Sequence, residues 1–230
     1  LERINVDYLD NFKDNWMPSQ NNAGGTPSAP NSVSSNLSDQ REPQLQYLAV
    51  LAPDTLLLQF SKSMDDSTLQ SISNYQLEPF AIRPLVVNQP YATAVSLILD
   101  DSLAANEKAL LHISNLKCVD NLLLDSLSLR VSLPQQVMAG DVVINEILFN
   151  PKDDGVDYIE ILNISDKVLD LSSLLVTKRK GDFFDVPVSI TNRQALCFPR
   201  DYWVLTSDPT VVCKQFSCAP LAHFSQVAIP

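Results

Sequence analysis

The sequence predicts an all-β chain: two β-sandwiches in series, preceded by an extended N-terminal tail. Three observations lead there. Between residues 44 and 136, strand-length apolar runs recur at near-regular spacing, each bounded by Pro, Asn, Asp or Ser. Beyond residue 137, "GDVVINEILFNP" and "VDYIEILNIS" read as two strands paired across a polar, acidic turn. Ahead of both, residues 1–43 hold few large apolar side chains, among them Phe12 and Trp16, too few to bury a core of their own.

The elements follow in chain order. "LERINV" is a short strand-like start to a segment otherwise rich in Asn, Ser, Pro and Gly. "LQYLAVLAPDTLLLQF" gives two apolar runs broken at the turn pair Pro53-Asp54. "MDDSTLQSISNY" is the one place for a helical turn, with Asp65 or Asp66 at its start. "NYQLEPFAIRPLVVN", "AVSLILDDSL", "KALLHISNLKCVDNLLL" and "LSLRVSLP" complete the first sandwich. In the second, alternation places Glu146 beside Ile144 and Leu148, and Glu160 beside Tyr158 and Leu162. The organisation expected is a tail and linker at 1–43, one sandwich at 44–136 and another at 137–230.

A chain of 230 residues accommodates two domains, and 45% hydrophobic with 19% charged residues is globular composition. The net charge of −11 repels phosphate backbones and anionic headgroups, so nucleic acid and membrane-surface binding are not expected. No run of roughly 18 apolar residues is present, so no membrane insertion is expected. The chain opens on Leu1 with no signal peptide and reads as a piece of something longer.

Two family resemblances sit on these runs. In residues 44–136, Phe60-Ser61, the acidic turn at Asp65, Asn74-Tyr75, the strand Val95 to Leu99 and the segment Ile113 to Asn121 resemble a bacterial Ig-like module of the S-layer type. Asp120 stands where that pattern has glycine. In residues 137–230, Ile144-Asn145-Glu146, then Asp157 to Asn163, Asp170-Leu171-Ser172, Pro199 and Tyr202 to Asp208 resemble the bacterial lamin tail domain. Here Ser173-Leu174 replaces the common Gly-Trp, and Arg200 replaces a glycine. Residues 1–32, with Asn15-Trp16 and "GGTPSAPNS", resemble the end of a preceding copy. The resemblances imply two Ig-like sandwiches, the second C-terminally incomplete. They also imply a secreted or cell-surface setting, on the outer-membrane or periplasmic side, in a protein like those of Bacteroidetes.

Candidate chemistry is sparse. Glu146 and Glu160 pair as acids for proton transfer or metal binding, or serve as hydrogen-bonded strand residues, and the second role is expected. Asp153, Asp154 and Asp157 are weak calcium candidates, lacking the alternation and distal Glu of an EF-hand loop. Asn145, Asn163, Pro199 and Tyr202 are family-motif structural positions. His112 and His223 belong to no metal-binding or protease pattern. No nucleophile elbow or glycine-rich phosphate cradle occurs. Cys213 and Cys218 are either a local disulfide or two free thiols, and Cys118 and Cys197 read as buried thiols. "KRKGD", Lys178 to Asp182, reads as a solvated hairpin tip. Tyr202 and Trp203 face opposite ways along a strand, one core and one exposed.

No catalysis and no cofactor are therefore expected. The function expected is a structural or interaction module acting as scaffold, spacer or adhesin segment, with a protein or cell-surface component as partner. The alternative is a carbohydrate- or calcium-binding module of a larger secreted enzyme. Strand exchange through residues 1–6 of a neighbouring chain is a further expectation, drawn from the matching half-domains.

Overall fold

The computed structural model describes residues 1–6, 15–35, 41–86, 92–218 and 223–227. The chain is all-β and divides into two compact units, Leu1–Ser102 with Ala109–Val131, and Leu103–Lys108 with Ser132–Pro230. The short Leu103–Lys108 segment, read as part of the first sandwich from its place in the sequence, belongs to the second unit. There Ala105 bridges Leu133, and Asn106 Oδ1 accepts from the Gln135 side chain at 2.8 Å and the Val168 N–H at 3.3 Å.

The first unit begins with two short strands, β1 (Glu2–Arg3) and β2 (Trp16–Met17), paired antiparallel. Next come β3 (Leu45–Ala52), β4 (Thr55–Phe60), β5 (Tyr75–Glu78), β6 (Ile82–Val86), β7 (Ala94–Leu99), β8 (Ala109–Ile113) and β9 (Leu127–Val131). They form a four-stranded sheet in the order β3-β4-β7-β6 and a three-stranded sheet β5-β8-β9. Period-2 alternation decides which side chains are inside. Leu56, Leu58 and Phe60 of β4 are buried with Val95, Leu97 and Leu99 of β7, and Tyr75, Leu77, Leu111 and Ile113 line the other sheet. Each fully buried leucine contributes roughly 2 kcal/mol relative to exposure.

The helical turn read from the sequence is α1 (Asp66–Leu69), with Asp65 as its N-cap accepting from the Thr68 N–H at 3.0 Å. The Asn74-Tyr75 pair closes its other end. Asn74 Nδ2 donates to the Thr68 carbonyl at 2.8 Å and Tyr75 Oη to the Leu69 carbonyl at 2.9 Å, so side chains bond two carbonyls at the helix terminus.

Asp120, the departure from glycine, also has a physical partner. Lys62 is only 2% exposed, and its ammonium lies 3.3 Å from Asp120 Oδ2 and donates to the Arg41 carbonyl at 2.9 Å. A buried ammonium needs such partners. The following residue, Asn121, takes the left-handed turn conformation at φ 62°.

Residues 1–43 contain more structure than an extended tail, although Phe12 lies outside the described residues. Glu2 is buried, and its carboxylate accepts from Thr26 Oγ1, Ser32 Oγ and the Ser32 N–H, each at 2.7 Å. Asn15 and Asn5 exchange side-chain and backbone bonds at 2.8 and 3.0 Å. The Arg3 guanidinium sits 5.0 Å from the centre of the Trp16 ring. Polar contacts here do the ordering that apolar burial does elsewhere.

The second unit adds β10 (Gln135–Gln136), β11 (Val142–Leu148), β12 (Tyr158–Asn163), β13 (Leu169–Asp170), β14 (Leu175–Val176), β15 (Arg179–Lys180) and β16 (Phe183–Phe184). It ends with β17 (Val188–Ser189), β18 (Leu196–Cys197), β19 (Tyr202–Thr206), the helix α2 (Pro209–Phe216) and β20 (His223–Gln226). The main sheet runs β11-β12-β19-β20, with β19 and β20 parallel. A second sheet runs β10-β13-β18, and β14–β17 and β15–β16 are separate pairs. Ile161, Trp203 and Leu205 of the main sheet pack with Leu169, Leu171, Ile190 and Cys197 in the core.

Two outcomes follow for the first unit. Asp120→Gly removes an acid from a buried ammonium and lowers stability by about 3 kcal/mol. Urea unfolding checks it, with Lys62→Met in the same chain recovering part of the loss. For Glu2, the Ser32 hydroxyl foremost, then Thr26, Ser19 and the Ser32 amide, lower the carboxyl pKa from its ordinary 4.5 to about 2, against the opposing effect of burial. The carboxylate form is the one bound, so this contribution is complete above pH 4.5 and lost as pH falls toward 2. The Ser32 amide proton resonance is expected to titrate near the lower value, and Glu2→Gln to abolish that titration.

Candidate functional site

The two candidate acids lie on adjacent strands, directly opposite one another: Glu146 of β11 pairs with Glu160 of β12. Each has a neighbour that occupies it. Tyr158 Oη donates to Glu146 Oε1, and Asn145 Nδ2 donates to Glu160 Oε1 at 2.7 Å. Burial first, then the hydrogen bond to Glu146 and the nearby carboxylate charges, push the Tyr158 phenol up to about 12, so it stays a donor throughout the neutral range. Like charges placed opposite across a ladder repel, and the Tyr158 and Asn145 donors offset that repulsion.

Simple alternation fails at this site. The register shifts between Ile144 and Glu146, leaving Asn145 as an extra residue in β11. Ile144 and Ile147 therefore pair with Ile161 and Ile159 on the core face, while Glu146 and Leu148 pair with Glu160 and Tyr158 on the other. Ile144 and Glu146 are thus on opposite faces, contrary to the expectation from sequence. Glu146 is also exposed rather than buried among the apolar residues of its run, because β11 is the sheet edge. Tyr158 meets Phe216 of α2 edge-on at 5.7 Å on the Glu160 face.

Asn163 ends β12 and is fully buried. Its Nδ2 donates to the carbonyls of Lys167 at 2.9 Å and Cys197 at 3.0 Å. Its Oδ1 accepts from the Ser165 N–H at 3.0 Å and the Ser165 hydroxyl at 2.7 Å. All of its hydrogen-bonding capacity is used within its own unit.

Pro199 is half-buried in the turn from Phe198 to Asp201, which leads into β19. Arg200 in that turn has φ 68°, the left-handed region that glycine enters freely. A glycine would suit the position. Tyr202 is 50% exposed and Trp203 only 9%. Trp203 stacks on the His223 ring at 4.9 Å and donates from Nε1 to Ser225 Oγ at 2.8 Å. His112 contacts Ser128 Oγ at 3.1 Å.

Asp153 and Asp154 are exposed in the β11–β12 turn, with Asp154 at φ 63°. Asp157 is exposed beside them, and its carbonyl accepts from Thr206 Oγ1 at 2.9 Å. Among the described residues, no group of three His, Cys, Asp or Glu is placed to hold a metal ion. Gly155 in the same turn has no room for a Cβ, which would come within 2.7 Å of Pro151 Cβ and 2.8 Å of the Lys152 carbonyl. Cys213 and Cys218 are bonded, S–S 2.21 Å, across the C-terminus of α2. Cys118 and Cys197 are buried thiols.

Sequence reasoning missed the buried Asp141. It receives Lys167 Nζ on both oxygens at 3.0 Å and the Met138 N–H at 2.9 Å. The Lys167 contact foremost holds its carboxyl below the usual range. The signal available was Gly140-Asp141 just ahead of an apolar run, with Gly140 at φ 91°.

No family model matches the chain, and no curated protein does. Among solved structures, the chain is similar to the N-terminal part of the bacterial S-layer protein SbsC, at 12% identity and TM-score 0.38 over 68% of this chain and 41% of that one. It is similar to domains 1–6 of surface layer protein SbsC at 9% identity and TM-score 0.38, over 73% of this chain and 32% of that one. For the S-layer protein rSbsC(31–844) the values are 9%, 0.37, 72% and 32%. The chain spans less than half the length of each.

Arg200→Gly is expected to stabilise the second unit by about 1 kcal/mol, because glycine relieves the left-handed backbone more than it adds freedom to the unfolded chain. A rise in the urea midpoint at constant slope checks it.

Proposed function

We propose that this chain is a non-catalytic structural and interaction module of a secreted or cell-surface bacterial protein. In this reading an S-layer-type Ig-like sandwich precedes a lamin-tail-like one, as in proteins of the Bacteroidetes kind. The observation that carries it is the occupancy of the polar side chains that looked chemical. Glu146 is held by Tyr158, Glu160 by Asn145, and Asn163 by four bonds within its own unit. A nucleophile or general base needs reach to a substrate, and these groups are spent on the sheet. The Cys213–Cys218 bond suits an oxidising compartment.

A carbohydrate- or calcium-binding role has less support. Trp203 is enclosed by His223 and Ser225, and the three turn aspartates form no ligand group. Exchange through residues 1–6 would first need the Glu2–Arg3 pairing with Trp16–Met17 to open.

The test is surface labelling of intact producing cells with an antibody to this chain, followed by external protease. Labelling and loss of the epitope without lysis is the expected result. Access only after lysis would sink the reading. Excess calcium is expected to leave the melting temperature unchanged.

A further inference from the structure

We propose that the basic, aromatic β15–β16 hairpin of one copy docks on the acidic, apolar β11 edge of a second copy, giving head-to-tail association. The acceptor comes from the bulge. Ile144 and Ile147 lie on the core-facing side of the main sheet, yet they are 61% and 53% exposed, and Phe149 just beyond is 82% exposed. Among the described residues β11 is an edge strand, paired on one side by β12 and with no strand paired along the other. From Glu146 to Glu160, the strand end and turn carry five carboxylates against the single Lys152.

The donor surface has the opposite charge and the same apolar character. Phe183 and Phe184 of β16 are 79% and 67% exposed, and Val186 is 83% exposed. Arg179 pairs across the hairpin with Phe184, and Lys180 with Phe183, with Lys178 adjacent and exposed. Arg179 and Lys180 lie near Asp182 and Asp185 at 3.9 and 2.8 Å, exposed pairs of small net worth that a new partner can replace. Exposed apolar groups this concentrated on one small unit mark contact surfaces.

Charge decides the geometry. Two β11 edges facing each other would bring Glu146, Asp153, Asp154 and Asp157 against their own copies, whereas the hairpin sets Lys178, Arg179 and Lys180 against only Asp182 and Asp185 and so has the opposite net sign. Net charge therefore favours contact between the unlike surfaces. A contact between unlike surfaces is heterologous and leaves one free surface at each end of the pair, so association continues beyond a dimer. This deepens the structural-module reading and rests on it for its role, while its test is independent of cell location.

The test is sedimentation velocity on the whole 230-residue chain over a concentration series. The native chain is expected to form species larger than a dimer, weakened by salt. Phe183→Ser with Phe184→Ser spoils the hairpin alone. Ile144→Thr with Ile147→Thr spoils the edge alone. Each variant by itself is expected to be monomeric, and an equal mixture to stop at a dimer, because one intact hairpin and one intact edge remain. If the isoleucine variant does not fold, Asp153→Asn with Asp154→Asn in the exposed turn replaces it, raising the dissociation constant about tenfold. A native chain that stays monomeric overturns the proposal and leaves the structural-module reading standing. Continued self-association of the hairpin variant alone also overturns it.

Discussion

The second unit is organised around the four hydrogen bonds of the Asn163 carboxamide. β12 ends there, and the chain leaves through Ser165 and Lys167 toward the other sheet. One side chain fixes that exit by accepting twice from Ser165 and donating to Lys167 and to Cys197 of β18. The Asn163 backbone accepts from Arg200 and donates to Asp201, so the turn before β19 is held at the same point. A buried amide satisfied four times over specifies one arrangement, since any alternative leaves polar atoms unpaired in an apolar core. Asp141 and Lys167 reinforce the corner from outside with a two-oxygen ion pair.

The bulge at Asn145 is the second organising constraint. One added residue lets β11 present isoleucines to one face and a carboxylate to the other within three positions. It also frees the Asn145 amide to serve Glu160, which makes the close approach of two acids tolerable. The same strand that supplies Glu160 with a donor leaves Ile144 and Ile147 with little cover. The paired acids and the exposed isoleucines of β11 share one geometrical cause, the extra residue.

Legibility from sequence followed the range of the interaction. Local signals were readable: the Pro53-Asp54 turn between β3 and β4, the Asp65 cap, the alternation along β4 and β7, and the opposed directions of Tyr202 and Trp203. Asn163 stood out in the sequence, though not its partners. Long-range polar contacts were invisible. Glu2 reaches Thr26 and Ser32 across a segment whose composition reads as unfolded, because counting apolar residues ignores what hydroxyls and amides can hold. The bulge was hidden for another reason: alternation is a pattern of one strand, and an inserted residue shows only in the register with its partner. Asp120 and Arg200 were visible as departures from a pattern, but their meaning needed a buried ammonium and a positive φ.

The bridge at the end of α2 has a bearing on durability outside a cell. Lys214 and Phe216 are exposed within the short ring closed by Cys213 and Cys218, side chains that trypsin-like or chymotrypsin-like enzymes recognise once the last turn of α2 frays. A cut at either residue opens the backbone yet leaves the two pieces joined through sulfur. β20 then remains tethered beside β19, where Ser225 holds the Trp203 indole, and the sheet survives a nick that would otherwise release its last strand.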